Sequence, residues 1–189
     1  MSAARPALFL DRDGVINVDY AYVCRRQDFE FSEGIFELCR GARQRGYLVL
    51  VVTNQAGIGR GYYTERDFWE LTEWMLQVFA AEGCPIDGVY FCPYHPEHGV
   101  GEYRQAALCR KPQPGMIRQA VDEHDVDLAG SVLVGDRQTD IEAGIAAGVG
   151  CNILYSPAGD QALLRETTGA DAVVKNLTEV LAYFRDFRP

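Results

Sequence analysis

The chain has 189 residues, of which 48% are hydrophobic and 24% are charged, with 8 prolines and 19 glycines. This composition is typical of one ordinary globular domain spanning residues 1–189 and argues against a disordered, collagen-like or coiled-coil protein. Eighteen Lys and Arg against 27 Asp and Glu give a net charge of −9, without any basic run. We therefore expect no nucleic acid and no membrane as partner, and an anionic substrate would need local cations, a metal ion or a helix N-terminus to bind.

The amino-terminal apolar stretch is short. Charged residues at Asp11, Arg12 and Asp13 interrupt it, so it is too short for a signal peptide or a membrane span. We therefore expect a cytoplasmic protein with free thiols rather than a disulfide framework. The six cysteines are Cys24, Cys39, Cys84, Cys92, Cys109 and Cys151.

Short apolar runs alternate with longer helical patterns along the chain. The pattern predicts an α/β fold, a three-layer sandwich with a central, mostly parallel Rossmann-like sheet and no separate cap domain. In chain order we predict strand 7–11, helix 33–45, strand 47–53, helix 65–82, strand 88–92, helix 115–123, strand 131–136, helix 140–147, strand 151–155, strand 172–174 and helix 177–184. Thr64 and Asp67 form a predicted capping box before the second helix.

Three connections are longer than a simple crossover requires: 14–32, 54–63 and 93–114. Each leaves the carboxyl end of a predicted strand, which is where open parallel sheets bind their ligands. We therefore expect substrate recognition in these three segments.

Acidic residues follow two of the predicted strands. Asp11 and Asp13 end the first, and Asp136 ends the fourth. Single acids at strand ends often only solvate a turn. Three carboxylates converging at one sheet edge would repel one another, so the set predicts a divalent cation, most naturally Mg²⁺.

The segment D-R-D-G-V has a further chemical implication. Gly14 permits a tight turn after the strand, so one of the two acids can attack phosphorus while the other reaches the leaving oxygen. Thr53 and Asn54 end the second strand and offer a hydroxyl, a backbone N–H and an amide to phosphate oxygens. Taken alone, such a pair is more often a helix cap or a turn.

A basic pair supplies the candidate cations. Lys111 provides a point charge for a transferring phosphoryl group, and Arg110 provides a fork for a second anion, although basic pairs often lie only at the surface. Asp140, four residues after Asp136, could hold the lysine or a metal-bound water.

The segments D-R-D-G-V, V-T-N-Q, R-K-P and V-G-D-x-x-x-D, in this order, resemble the four motifs of the haloacid dehalogenase superfamily of phosphatases. The longer segments VVTNQAGIGRGYYTE and CRKPQPGM are similar to the branch that acts on a heptose 1,7-bisphosphate. The likeness extends from about residue 7 to residue 155, which is most of the chain.

This resemblance implies roles for individual residues. Asp11 would be the nucleophile that forms an aspartyl-phosphate, and Asp13 the general acid and then base. Asp11, Asp136 and the backbone carbonyl of Asp13 would bind Mg²⁺, while Thr53 and Lys111 would stabilise the phosphoryl group. The implied substrate contacts are Asp19, Tyr20, Ala21, Tyr22, Asn54, Gln55, Ala56, Arg110 and Arg137.

The third long connection departs from the family pattern. Relatives often hold a structural zinc there through a C-x-H pair and a C-x-C pair. Cys92 and Cys109 match two of these positions, but Tyr94 and Ala107 stand at the other two. Zinc is therefore in doubt: either His95 or His98 completes the site, or Pro93, Pro96, Tyr94 and Tyr103 hold the loop by packing.

The sequence favours a monomeric, Mg²⁺-dependent phosphatase that removes the 7-phosphate of a heptose 1,7-bisphosphate in carbohydrate metabolism. A histidinol-phosphate phosphatase shares all four motifs and stays open as an alternative. A receiver-like phosphoacceptor switch also combines an acid pair, a Thr and a Lys. It would hold its phosphate, because such a domain has no neighbouring acid to speed hydrolysis.

Overall fold

Six parallel strands form one sheet in the computed structural model, which describes residues 4–159 and 161–186. The strands are β1 (Ala7–Leu10), β2 (Leu48–Asn54), β3 (Gly88–Cys92), β4 (Val132–Gly135), β5 (Cys151–Tyr155) and β6 (Ala172–Val174). Their spatial order is β3-β2-β1-β4-β5-β6, and every pairing is parallel. The α/β fold with a parallel central sheet is therefore confirmed.

Helices cover both faces of this sheet. They are α1 (Ile35–Gln44), α2 (Ala56–Gly59), α3 (Glu65–Ala81), α4 (Gly115–His124), α5 (Gln138–Ala147) and α6 (Gln161–Thr168). Successive strand residues point to opposite faces, so Leu8 and Leu10 pack in the core beneath α1 and α3, whereas Phe9 packs against α4 and α5. The apolar strand sequences follow from this burial on both sides.

Helix α3 illustrates how local sequence sets an element. Thr64 accepts a hydrogen bond from the backbone N–H of Asp67, whose carboxylate accepts one from the backbone N–H of Thr64 in return. Phe68, Met75 and Phe79 then recur at helical spacing on the buried side. The predicted capping box and apolar face are both confirmed.

Most predicted bounds agree with the structure to within one or two residues, and the following differences have an identifiable cause. Helix α5 begins at Gln138, because Asp140 accepts the backbone N–H of Arg137 and so extends the helix by two residues. The predicted carboxyl-terminal helix is a 3₁₀ helix over Leu177–Tyr183. Helices α2 and α6 were not predicted, because α2 is only four residues long and α6 has few apolar residues to set a period.

The strand order places the ends of β1, β2 and β4 side by side. Strand β1 has β2 on one side and β4 on the other. The connection that leaves β1 leads to β2 and the one that leaves β4 leads to β5, so the two connections run towards opposite edges of the sheet. A crevice forms at such a switch point, beyond the carboxyl ends of the strands. None of the helices in the described ranges is long and apolar enough to cross a bilayer.

Candidate active site

A cleft of about 570 Å³ opens at this switch point. The residues lining it come from the turns after β1, β2 and β4 and from the loop after β3. Those predicted from the sequence are Asp11, Asp13, Asp19, Ala21, Tyr22, Asn54, Ala56, Arg110, Lys111 and Arg137. The cleft thus brings together most of the residues that the four motifs supply.

A buried lysine lies at the bottom of the cleft. Lys111, only 3% exposed, places Nζ 2.9 Å from Asp11 Oδ1, 2.7 Å from Asp140 Oδ1 and 2.8 Å from the carbonyl oxygen of Val52. Burial alone lowers the pKa of this ammonium, but the two carboxylates raise it above its ordinary value. Lys111 is therefore a fixed positive charge.

Three carboxylates surround this charge. Asp11, Asp136 and Asp140 each offer an oxygen within 4.8 Å of the others. Burial raises the pKa of Asp11 to about 6, although Lys111 partly opposes it. Burial, with the charges of Asp11 and Asp140, raises the pKa of Asp136 to about 8. The cluster is therefore short of positive charge even with its lysine.

The same carboxylates fit a divalent cation. Both oxygens of Asp140 are engaged, one by Lys111 and the other by the backbone N–H of Arg137 at 3.0 Å. Asp136 Oδ1 is buried and has no hydrogen-bond partner among the described residues. Because Mg²⁺ prefers carboxylate oxygens, Asp136 and Asp11 are suitable ligands, and Asp140 is occupied in holding the lysine.

Asp13 is held by three side chains. Arg12 Nη2 lies 2.9 Å from both of its carboxylate oxygens, Asn17 Nδ2 lies 3.1 Å from Oδ1, and Gln55 Nε2 lies 2.9 Å from Oδ2. Arg12 and Asn17 are not among the predicted site residues. The sequence does show that Arg12 lies between two acidic residues. It does not show whether the Arg12 side chain points into the protein or towards solvent.

The residues at the carboxyl end of β2 and directly after it divide into two groups. The side chain of Asn54 binds the backbone of Lys111 twice. Its Oδ1 accepts a hydrogen bond from the Lys111 N–H at 3.1 Å, and its Nδ2 donates one to the Lys111 carbonyl oxygen at 3.2 Å. Thr53 and Gln55 are buried, and Gln55 Nε2 donates to Thr53 Oγ1 at 2.9 Å. The backbone N–H of Gln55 donates to the carbonyl of Cys92. The structure therefore places the Gln55 side chain behind the cleft, where it contacts protein groups and not the cleft interior.

Exposed charges lie around the cleft mouth. Arg137 Nη2 pairs with Asp19 Oδ2 at 2.8 Å, which ties the turn after β4 to the loop after β1. Asp19 Oδ1 also accepts the backbone N–H of Ala21, whose φ of 59° is in the left-handed region. Arg110 donates to the carbonyl of Tyr94 at 3.1 Å. These contacts hold the loops in place around the opening.

Tyr20 is a second predicted contact that points elsewhere, and several residues that line the cleft were not predicted as contacts. The Tyr20 hydroxyl donates to Glu30, and its ring lines a neighbouring cavity of about 460 Å³ rather than the cleft. Arg60 and Tyr63 line the cleft but were not predicted, and His95, predicted only as a possible zinc ligand, lines it too. They occur in segments with glycine or proline, where sequence spacing does not indicate side-chain direction.

The loop after β3 does not gather a zinc site. The sulfur atoms of Cys92 and Cys109 lie 2.6 Å apart, and both cysteines are free thiols. His95 Nδ1 instead accepts backbone N–H groups of residues 97 and 98. Within the described residues, the carboxylate cluster is the only group of three or more potential ligands that could hold an ion. Packing of Tyr94 on Tyr103, with ring centres 5.9 Å apart, supports the loop.

Known proteins similar to this chain are phosphatases. Residues 108–180 match a family described as "HAD-hyrolase-like". The chain is 56% identical over 177 residues to D-glycero-alpha-D-manno-heptose-1,7-bisphosphate 7-phosphatase of Burkholderia mallei, covering 94% of this chain and 92% of the relative. It is 43% identical over 180 residues to D-glycero-beta-D-manno-heptose-1,7-bisphosphate 7-phosphatase of Escherichia coli, covering 95% and 94%.

A solved structure shows the same likeness. D,D-heptose 1,7-bisphosphate phosphatase from B. bronchiseptica, complexed with magnesium and phosphate, superposes with a TM-score of 0.79 at 29% identity. The match covers 94% of this chain and 96% of that chain. Sequence and fold therefore point to the same group of proteins.

Proposed function

Since this chain belongs to the heptose-1,7-bisphosphate 7-phosphatases of the haloacid dehalogenase superfamily, we propose that it hydrolyses the 7-phosphate of D-glycero-D-manno-heptose 1,7-bisphosphate. The observation that carries the proposal is the contact of Asp11 with Lys111 at the bottom of a cleft that three arginines also line. The proposal treats residues 1–189 as one catalytic domain that acts as a monomer in the cytoplasm.

In this proposal Asp11 is the nucleophile. Its Oδ1 contacts Lys111 Nζ at 2.9 Å and the backbone N–H of Arg12 at 2.8 Å, which leaves Oδ2 as the attacking oxygen. Attack forms the bond between Oδ2 and phosphorus and breaks the bond to the sugar O7. The reaction is thereby divided into two easier steps through an aspartyl-phosphate.

Charge at the phosphoryl group is balanced by groups of the protein. Lys111 contacts Asp11, and in this proposal it holds the equatorial oxygens as the group transfers, together with the hydroxyl of Thr53 at the end of β2. When bound by Asp11, Asp136 and the carbonyl of Asp13, Mg²⁺ supplies neutralisation of the phosphate and carboxylate charge. The B. bronchiseptica relative, which was crystallised with magnesium and phosphate, supports this ion for the present site.

Asp13 moves the protons. The first step requires Asp13 to carry a proton once the phosphate is bound; it gives that proton to the departing O7 oxygen, and in the second step it takes one from the water that attacks the aspartyl-phosphate. That attack releases inorganic phosphate and regenerates Asp11. The contacts from Arg12, Asn17 and Gln55 keep the carboxyl of Asp13 in one place through both steps.

Steady-state phosphate release tests the proposal. The substrates are both anomers of heptose 1,7-bisphosphate and histidinol phosphate, with Asp11→Asn as the blank. The proposal predicts the highest kcat/KM for a heptose 1,7-bisphosphate, with heptose 1-phosphate as product. Preference for histidinol phosphate would reassign the enzyme, and retention of one phosphate per chain without turnover would indicate a phosphoacceptor switch.

A further inference from the structure

The hydroxyl of Tyr63 is connected to Asp13 through one buried side chain. Tyr63 lies between α2 and α3 and is 8% exposed, and Gln55 is 1% exposed. The Tyr63 hydroxyl donates to Gln55 Oε1 at 2.6 Å. Gln55 Nε2 donates in turn to Asp13 Oδ2 and Thr53 Oγ1, each at 2.9 Å. A continuous set of contacts therefore leads from Tyr63 to the proposed general acid.

The tyrosine hydroxyl determines which way the amide of Gln55 points. A glutamine side chain carries an acceptor oxygen and a donor nitrogen on the same carbon, so it can occupy its volume in two orientations. The alternative orientation would aim Oε1 at the carboxylate of Asp13, which is unfavourable between two acceptors. Burial raises the pKa of the Tyr63 hydroxyl above its ordinary value, so at neutral pH this group keeps its proton and donates to Oε1.

Apolar packing fixes the position of that hydroxyl. The Tyr63 ring lies in a small core with Ile58 and Phe68. It also lies against Gly57, where any Cβ atom would collide with the ring. The absence of a side chain at Gly57 therefore leaves room for the Tyr63 ring. With the ring in this position, its hydroxyl lies within hydrogen-bond distance of Gln55.

Gln55 joins two parts of the site that come from different strands. Arg12 and Asn17 hold Asp13 from the turn that follows β1. Gln55 holds it from the end of β2 and contacts Thr53, the proposed phosphoryl-binding hydroxyl, with the same nitrogen. The amide therefore sets the distance between the proton donor and the phosphoryl group.

We propose that Tyr63 is a positioning residue for proton transfer: its hydroxyl orients Gln55, which places Asp13 beside the leaving oxygen. The inference rests on the proposed phosphatase function. Tyr63 also lines the cleft, so direct contact with substrate and a purely structural role are the alternatives that an experiment must separate.

The experiment compares Tyr63→Phe with the wild type on two leaving groups. A sugar alkoxide needs a proton to depart, whereas 4-nitrophenolate does not. We therefore expect first-turnover release of the sugar to fall about 10-fold in Tyr63→Phe, a part of the ~10²–10⁴-fold that general acid catalysis supplies. First-turnover release of 4-nitrophenolate from 4-nitrophenyl phosphate should stay within about twofold, as should KM for the sugar phosphate.

Tyr90→Phe is the matched control. It removes the hydroxyl of another buried tyrosine, which lies on β3 away from the cleft and donates to Glu123 of α4 at 2.8 Å. This control should leave both release rates unchanged.

A double-mutant cycle tests whether Tyr63 acts through Gln55. Adding Tyr63→Phe to Gln55→Leu should lower the rate of sugar release no further, because the tyrosine acts only through Gln55.

Three outcomes would overturn the inference. Equal losses on both leaving groups would show a structural role, a rise confined to KM would show substrate contact, and additive losses in the cycle would show that Tyr63 acts without Gln55. Wild-type activity on heptose 1,7-bisphosphate tests the function separately. The variants are compared on any alkyl phosphate that the wild type hydrolyses, so a different substrate leaves the comparison valid.

Discussion

The bottom of the cleft and its mouth are built differently. We call Asp11, Lys111, Asp136 and Asp140 the floor: these groups lie just after β1 and β4, in the Lys111 loop and in the first turn of α5, with Lys111 3% exposed. We call Asp19, Tyr22, Arg60, Arg110 and Arg137 the rim: these belong to loops, and the Arg137 side chain is 65% exposed. Buried ion pairs are fixed in geometry and sensitive to loss of a partner, whereas exposed pairs are screened by water and salt.

This contrast assigns different tasks to the two regions. The floor supplies reactive groups whose mutual distances must not change during the reaction. The rim supplies charges that attract and orient an anionic sugar in a protein with a net charge of −9. Floor substitutions should therefore act on kcat and stability, and rim substitutions mainly on KM.

The largest expected effect is that of Asp11→Asn. An amide cannot form the aspartyl-phosphate, so kcat should fall by about 10⁴-fold or more, as for other covalent nucleophiles. Steady-state phosphate release measures it, with circular dichroism to show that the fold is kept. Activity within tenfold of the wild type would place the nucleophile elsewhere.

Lys111→Met should come next. The phosphoryl group loses its fixed cation, so kcat should fall by roughly 10²–10³-fold, as for removal of one oxyanion donor. Asp11 and Asp140 also lose their buried partner, which should lower the free energy of unfolding by about 3–5 kcal/mol in denaturant titrations. The exposed lysine of the chain, Lys175, provides the control Lys175→Met. Equal effects of the two variants would contradict the distinction between floor and surface.

Magnesium should stabilise the protein, more at pH 8 than at pH 6. The raised pKa values, about 6 for Asp11 and about 8 for Asp136, mean that the metal-free folded state binds more protons than the unfolded chain. Its stability should rise as pH falls from 8 towards 4, and protons should then compete with Mg²⁺. At 100 times Kd the ion should contribute about 2.7 kcal/mol at pH 8.

Thermal denaturation with and without Mg²⁺ at the two pH values measures this effect. Asp136→Asn should abolish the Mg²⁺-induced rise in Tm, whereas the exposed-residue control Asp122→Asn should keep it. An equal rise at both pH values would show that these carboxyl groups are not the ones that compete for the ion.

Rim substitutions should have the smallest effects. Arg110→Ala should raise KM for the bisphosphate about 10-fold with kcat nearly unchanged, because a charge-assisted hydrogen bond is worth roughly 1.5–3 kcal/mol. Arg137→Ala should raise KM less, since its side chain is mostly exposed. Steady-state kinetics at low and high salt measure both, with the exposed Arg118→Ala as the control. A large loss of kcat in either variant would break the division between rim and floor.

Sequence reasoning succeeded where chemistry depends on backbone position. The apolar runs predict the strands, and acids placed directly after them, such as Asp11 and Asp136, must meet at one sheet edge because the strands are parallel. Periodicity places each of these acids at the carboxyl edge of the sheet, and the strand order then brings Asp11 and Asp136 together. The carboxylates that follow the strands were therefore largely predictable before the structure.

Side-chain direction was the part that sequence could not supply. Gln55 was predicted to contact substrate, but α2 begins one residue later, and the contacts with Tyr63 and Asp13 turn its amide inward. Tyr20 likewise pairs with Glu30 in a neighbouring cavity. Such directions depend on partners that lie far apart in sequence or across loops of irregular backbone.

The most direct test of the account is chemical identification of the phosphorylated residue. Enzyme mixed with heptose 1,7-bisphosphate is quenched in acid during turnover, and borohydride then reduces any acyl phosphate to an alcohol. Peptide mass spectrometry should find homoserine in place of aspartate at position 11 and nowhere else. An unmodified Asp11, or homoserine at another aspartate, in enzyme that is turning over would contradict the proposed mechanism.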